Sequence, residues 1–163
     1  HFYGINSEKE FKQLIDTKFS KIKEHVRLFP KMKNDLLLAK IAEDNVMLLF
    51  NYYSFMGTKI YDYLGVNRKI LLCYENDKEA NELKRKYYKL DDNGSENSHI
   101  QADLVRKTKS GIVVKDARHL YGVFQDLSTE FSNTQYIACE STGIENYSRK
   151  IKVKEFAEIV KQL

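Results

Sequence analysis

The sequence contains no tryptophan, one proline (Pro30) and two cysteines. So few cysteines exclude a disulfide framework in a chain of this length. Cys73 lies in Ile70-Leu71-Leu72-Cys73-Tyr74 and Cys139 in Tyr136-Ile137-Ala138-Cys139. In such apolar runs a free thiol packs as a small hydrophobe, and both are expected to be reduced core residues. No apolar run nears the ~18 residues that a transmembrane helix needs. The longest, 46–56, is interrupted by Asn51 and rich in tyrosine. The N-terminal residues carry no leader pattern, so the expected compartment is the cytoplasm and no membrane partner is expected. Phosphate loops of the Gly-x-Gly-x-x-Gly or Walker type are missing, and so is Gly-x-Ser-x-Gly. His1, His25, His99 and His119 lack ligand spacing and no Cys-x-x-Cys pair occurs, so no metal-ligand set is expected.

What is present describes a globular chain. Hydrophobic residues make up 42% and charged residues 31%, too apolar for disorder. A single domain over residues 1–163 is expected, long enough to bury its own core. Ser7-Glu8-Lys9-Glu10 forms a capping-box pattern, and Phe11, Leu14, Ile15, Phe19, Ile22 and Val26 follow at helical spacing, with Pro30 beyond. A second helix is predicted from Asn34 to about Phe55, stopped by Gly57. These two make an antiparallel helical hairpin over about 7–56, with the sheet-containing part over about 59–163. Residues 59–64 suit either a short strand or a helix end. The continuous apolar run 69–74 suits a central strand. A charged helix follows from Asn76 to about Leu90, then a polar loop at 91–98. Residues 99–107 and 111–115 read as a β-hairpin turned at Thr108-Lys109-Ser110-Gly111. Asp116 caps a further helix whose Leu120, Val123, Phe124, Leu127 and Phe131 recur on one side. Strands are predicted at 135–140 and 149–153, and a closing helix at 154–163. The fold class is therefore α+β: an N-terminal helical hairpin followed by a mixed β-sheet with packed helices.

The charge balance favours an anionic partner. Lys+Arg number 27 against 23 Asp+Glu, for a net charge of +4. Arg106, Lys107 and Lys109, then Lys115, Arg118 and His119, place cations along the expected hairpin and the following helix start. Such a group can hold phosphates, and Tyr121 could add a stacking surface. The first functional expectation is thus a nucleic-acid-binding or nucleic-acid-processing domain with DNA or RNA as partner. The alternative reading of these lysines is protection of an exposed sheet edge.

If the chain is an enzyme, a nuclease is the expected kind, with a divalent cation as its cofactor. Asp103 and Lys115 fall on consecutive predicted strands, as in the PD-(D/E)xK arrangement, but Val113 stands where that pattern needs its second acid. His119 could act as a general acid or base beside Arg118 and Lys115. Glu75 and Glu140 follow predicted strands and could share a site in a small hydrolase, with Ser141-Thr142-Gly143 as a ligand-binding loop. A third expectation is a protein-interaction module, homodimeric or with another protein. It would use the aromatic belt of Phe50, Tyr52, Tyr53, Phe55, Met56, Tyr61 and Tyr63.

Overall fold

The computed structural model describes residues 1–50, 57–73 and 100–162. They form two compact units, His1–Ile41 and Ala42–Leu163. The fold is α+β, helices with short parallel-strand sheets.

In the first unit β1 (Phe2–Tyr3) pairs in parallel with β2 (Leu28–Phe29). The helix α1 (Glu8–Lys18) begins where the sequence predicts, but the Ser7 side chain makes no capping bond. It also stops early. Phe19 takes the C-cap, and a 3-10 turn, Ser20–His25, replaces the expected continuation to Val26. Ile15 is buried, whereas Leu14, Phe19 and Ile22 are exposed. The helix α2 (Asn34–Ile41) starts at the predicted Asn34.

The second predicted helix does not reach Phe55, so the helical hairpin over 7–56 is corrected. The run Val46-Met47-Leu48-Leu49-Phe50 is a strand, β3 (Val46–Phe50), in the second unit. Its five residues pair with β4 (Lys69–Cys73). Along it Met47 and Leu49 are buried while Leu48 and Phe50 face out, the two-residue period of a pleat. Consecutive apolar residues fit helix and buried strand equally well, and pairing decided between them.

The second unit carries a sheet of order β3-β4-β5, with β5 spanning Gly111–Val114 and every described pairing parallel. Residues 59–64, left open by the sequence, are helical as α3 (Lys59–Gly65). β4 is central, and Ile70, Leu71, Leu72 and Cys73 are all buried. Neighbouring parallel strands need a crossover rather than a tight turn. The predicted hairpin at 99–115 is accordingly absent, and its first arm is a helix, α4 (Ile100–Thr108). Gln101, Leu104, Val105 and Thr108 recur at the i, i+3, i+4, i+7 spacing of one helical face, and all are buried. Gly111 follows where β5 passes closest to β4: a Cβ there would run into the backbone carbonyl of Ile70.

Helix α5 (Ala117–Thr134) matches the sequence expectation. The Asp116 side chain accepts from the backbone N–H of His119 at 2.8 Å, capping it. Val123 and Leu127 pack with Leu71, Cys73, Val114 and Ile137 in the core. The strand predicted at 135–140 does not form. Side chains satisfy its backbone instead: Ile137 N–H donates to Asn45 Oδ1 at 3.1 Å and Ala138 N–H to Glu130 Oε1 at 2.7 Å. The edge strand predicted at 149–153 is also absent. Ser148 accepts from Ile151 N–H at 3.4 Å, and one helix, α6 (Arg149–Lys161), runs through both predicted elements. The predicted helix from Asn76 and the loop at 91–98 lie outside the described residues. Among the described residues no helix is long and apolar enough to cross a membrane.

Candidate functional site

The basic stretch of the sequence is divided by β5. Arg106 and Lys107 occupy the last turn of α4 and Lys109 the link that follows, at a φ of +52°. Lys115 follows the other end of the strand, and Arg118 and His119 lie in the first turn of α5. A four-residue strand is about 13 Å long. The cations expected along one hairpin therefore form two groups, one at each end of the sheet.

At the C-terminal end, Lys115 and Arg118 are exposed and His119 is half-buried. Lys115 N–H donates to His119 Nδ1 at 3.1 Å. A nitrogen that accepts cannot carry the proton, so the neutral ring is protonated on Nε2. With the bond from His119 N–H to Asp116, this makes a closed backbone cap around the helix start. Tyr121 stands 67% exposed on the next turn.

The N-terminal end is more elaborately built. The Thr108 hydroxyl donates to Leu104 O at 2.7 Å and lies 2.8 Å from the Ser110 hydroxyl, and both residues are buried. Thr142 N–H donates to Thr108 O at 2.8 Å, tying the 142–147 segment to the end of α4. The Ser141 hydroxyl meets Asn67 Oδ1 at 2.6 Å. Gly143 turns the chain at a φ of +67° and the 3-10 turn Ile144–Tyr147 leads to α6. These pieces enclose a cleft of about 400 Å³ lined by Lys107, Thr142, Gly143, Asn146, Tyr147 and Lys152.

The charges of that end differ in their engagement. Arg68 donates from Nε to Ala42 O at 2.9 Å and from one terminal nitrogen to Tyr136 Oη at 2.9 Å, and its guanidinium lies 5.4 Å from the Tyr136 ring centre. Lys69 is 3.6 Å from Glu130. Both are committed to the scaffold. Lys107 and Lys109 are exposed and make no ion pair among the described residues. Lys152 Nζ bonds Glu155 Oε2 at 2.8 Å and sits 5.6 Å from the Tyr147 ring centre. The hydrogen bond to Glu155 raises its pKa, favouring the ammonium form.

The candidate catalytic residues are not brought together. Asp103 lies on α4 rather than a strand, exposed and 3.7 Å from Arg106. Lys115 is at the far end of β5, so the pairing suggested by the PD-(D/E)xK arrangement is not made. Glu140 is exposed in the irregular segment just before Ser141, at the end opposite His119. Glu75 lies outside the described residues, as do Tyr52, Tyr53, Phe55 and Met56 of the aromatic belt. Phe50 and Tyr61 of that belt are exposed. Burial raises the Tyr63 phenol, helped by the charge of Asp62. Burial also pushes the Cys73 thiol to about 11 and raises that of half-buried Cys139, so neither is a ready nucleophile. Among the described residues no three His, Cys, Asp or Glu side chains gather as metal ligands.

Sequence reasoning found the Ser141-Thr142-Gly143 loop but missed Asn146, Tyr147 and Lys152. Ser148 three residues before Ile151, with Phe156, Ile159 and Val160 beyond at helical spacing, was the available signal that Lys152 belongs to a helix. No family model, curated protein or solved structure matches this chain.

Proposed function

We propose that this chain binds nucleic acid through the N-terminal end of its parallel sheet. The observation that carries the reading is the cleft flanked by Lys107 and Lys152, with Lys109, exposed and without an ion pair among the described residues, two positions beyond Lys107 in the chain. Ammonium groups from two separate elements converge on one concavity that also offers hydroxyl, amide and aromatic groups. That combination suits a phosphodiester chain, whose backbone supplies affinity through charge and whose bases add contacts. Lys115, Arg118 and His119 form a second, separate basic group at the other end. The test is fluorescence anisotropy of the full chain with labelled DNA and RNA over a salt series. Three neutralised phosphates predict a log–log salt slope of about −2 to −3. No binding at low salt removes the reading; probe cleavage with added Mg²⁺ extends it to a nuclease.

A second reading rests on α6. Val153, Phe156, Ile159 and Val160 are all more than half exposed on this helix. A contiguous apolar stripe of this kind supports a protein-interaction role, including pairing with a second copy. Sedimentation velocity over a hundredfold concentration range, with Phe156→Ser as comparison, tests it.

A further inference from the structure

We infer that the cleft at the N-terminal end of β5 is a single-strand site, taking one unstacked nucleotide with its phosphate between Lys107 and Lys152 and its base against Tyr147. The inference rests on the nucleic-acid reading and goes further, naming the form of nucleic acid and the residue that selects it.

The first argument is size and shape. A cavity of about 400 Å³ falls at the small end of the range for ligand pockets, roughly 300–1,000 Å³. It can admit a nucleotide unit but not a double helix. The second argument is the kind of side chain inside it. A phosphate-only surface needs cations on an open face. Here Tyr147, half-buried, lines the concavity itself. In a duplex each base face is covered by its neighbours in the stack. An aromatic wall inside a cleft therefore reaches only a base that has left the stack, and stacking on it is tolerant of sequence. The third argument is rigidity. The Thr142 N–H to Thr108 O bond fixes the 142–147 segment to the end of α4, so the wall bearing Lys107 and the wall bearing Tyr147 keep their spacing. Thr142 and Asn146 add a hydroxyl and an amide whose donors and acceptors can meet a base edge or a ribose. Tyr121, at the other end of the strand, is 67% exposed on α5.

The experiment uses the full chain with a fluorescein-labelled mixed-sequence RNA 10-mer, single-stranded and as a duplex, at low salt. Single-strand binding is expected to be at least tenfold tighter than duplex binding. Tyr147→Ala should weaken single-strand binding roughly tenfold and leave duplex binding unchanged, while Tyr147→Phe retains the wild-type preference. A single-stranded probe carrying 5-iodouridine, irradiated with the wild-type chain, should crosslink at Tyr147, and this readout does not depend on any variant folding. Binding to both forms with no effect of Tyr147→Ala and a crosslink elsewhere overturns the single-strand site while the nucleic-acid reading stands. Absence of binding to either form overturns both.

Discussion

The two ends of β5 are four residues apart in sequence and are built in different ways. At the N-terminal end, buried hydroxyls of Thr108 and Ser110, the Thr142 and Ser141–Asn67 bonds and a left-handed glycine hold together three segments from distant parts of the chain. At the C-terminal end, Asp116, Lys115 and His119 satisfy one another within five consecutive positions. The first is tertiary structure and makes a concavity. The second is a local helix cap. Both carry cations, and among the described residues the first sets them beside polar and aromatic walls. Ligands of open parallel sheets ordinarily sit beyond the carboxyl ends of the strands. The candidate cleft among the described residues lies at the opposite edge, because the 142–147 segment returns there.

The most disruptive way to break this comparison is to remove the strand that separates the two ends. Gly111→Ala places a methyl group against the Ile70 carbonyl at the first pair of the β4–β5 register. The atoms it meets are the Ile70 backbone, which leaves no flexible side chain to move. A loss of about 3 kcal/mol is expected in urea unfolding, and both ends should lose function together.

A smaller loss, again common to both ends, comes from alkali. Cys73 pairs with Val114 in the buried core, at the last pair of the β4–β5 register, and burial pushes its thiol up to about 11 from the ordinary 9.0. The unfolded thiol ionises first as pH rises. The folded chain then holds the extra proton, so this contribution is complete below pH 9 and disappears between 9 and about 11. It is on the order of 2 kcal/mol. The urea midpoint should fall across that window in the wild type, and Cys73→Ala should show a flatter alkaline limb.

Charge reversal separates the ends. Lys107→Glu with Lys109→Glu alters only exposed side chains and should cost roughly tenfold in affinity for single-stranded RNA, with the salt slope reduced by about 2. Lys115→Glu with Arg118→Glu changes net charge equally but should cost only about two- to threefold, through the long-range field. Equal losses in anisotropy titrations would show that net charge, and not the cleft, governs binding.

The contrast also explains what was legible in the sequence. Asp116 as a cap and the apolar period of α5 were readable because every partner lies within one helix. The start of α2 at Asn34 was readable for the same reason, although Asn34 is its first residue and Lys33 O accepts the first helical bond. The cleft was not, since Lys107, Tyr147 and Lys152 meet only through the packing of α4 against the returning chain. The helix at 100–108 reads as a strand because Ala102 and Leu104 fit a two-residue period over a short window. Gln101 and Thr108, polar but buried, complete the helical face and were not counted as inward positions. Val46–Phe50 was mistaken for helix because periodicity cannot separate a short apolar run into either type. Only the partner β4 resolves it.

The smallest expected change is the most specific to the cleft. Glu155 holds the Lys152 ammonium at 2.8 Å, with both side chains half-exposed, and so competes with any phosphate for it. An exposed pair of this kind adds little to stability. Glu155→Gln should therefore leave the urea midpoint nearly unchanged. It removes the anion beside Lys152 while keeping a side chain of the same shape, and RNA affinity should rise about two- to threefold. Glu158→Gln, one turn further on and bonded to Lys161, makes the same change in net charge. If the cleft holds the phosphate, the first substitution tightens binding more than the second in parallel anisotropy titrations. Identical gains would place the phosphate contacts elsewhere on the surface.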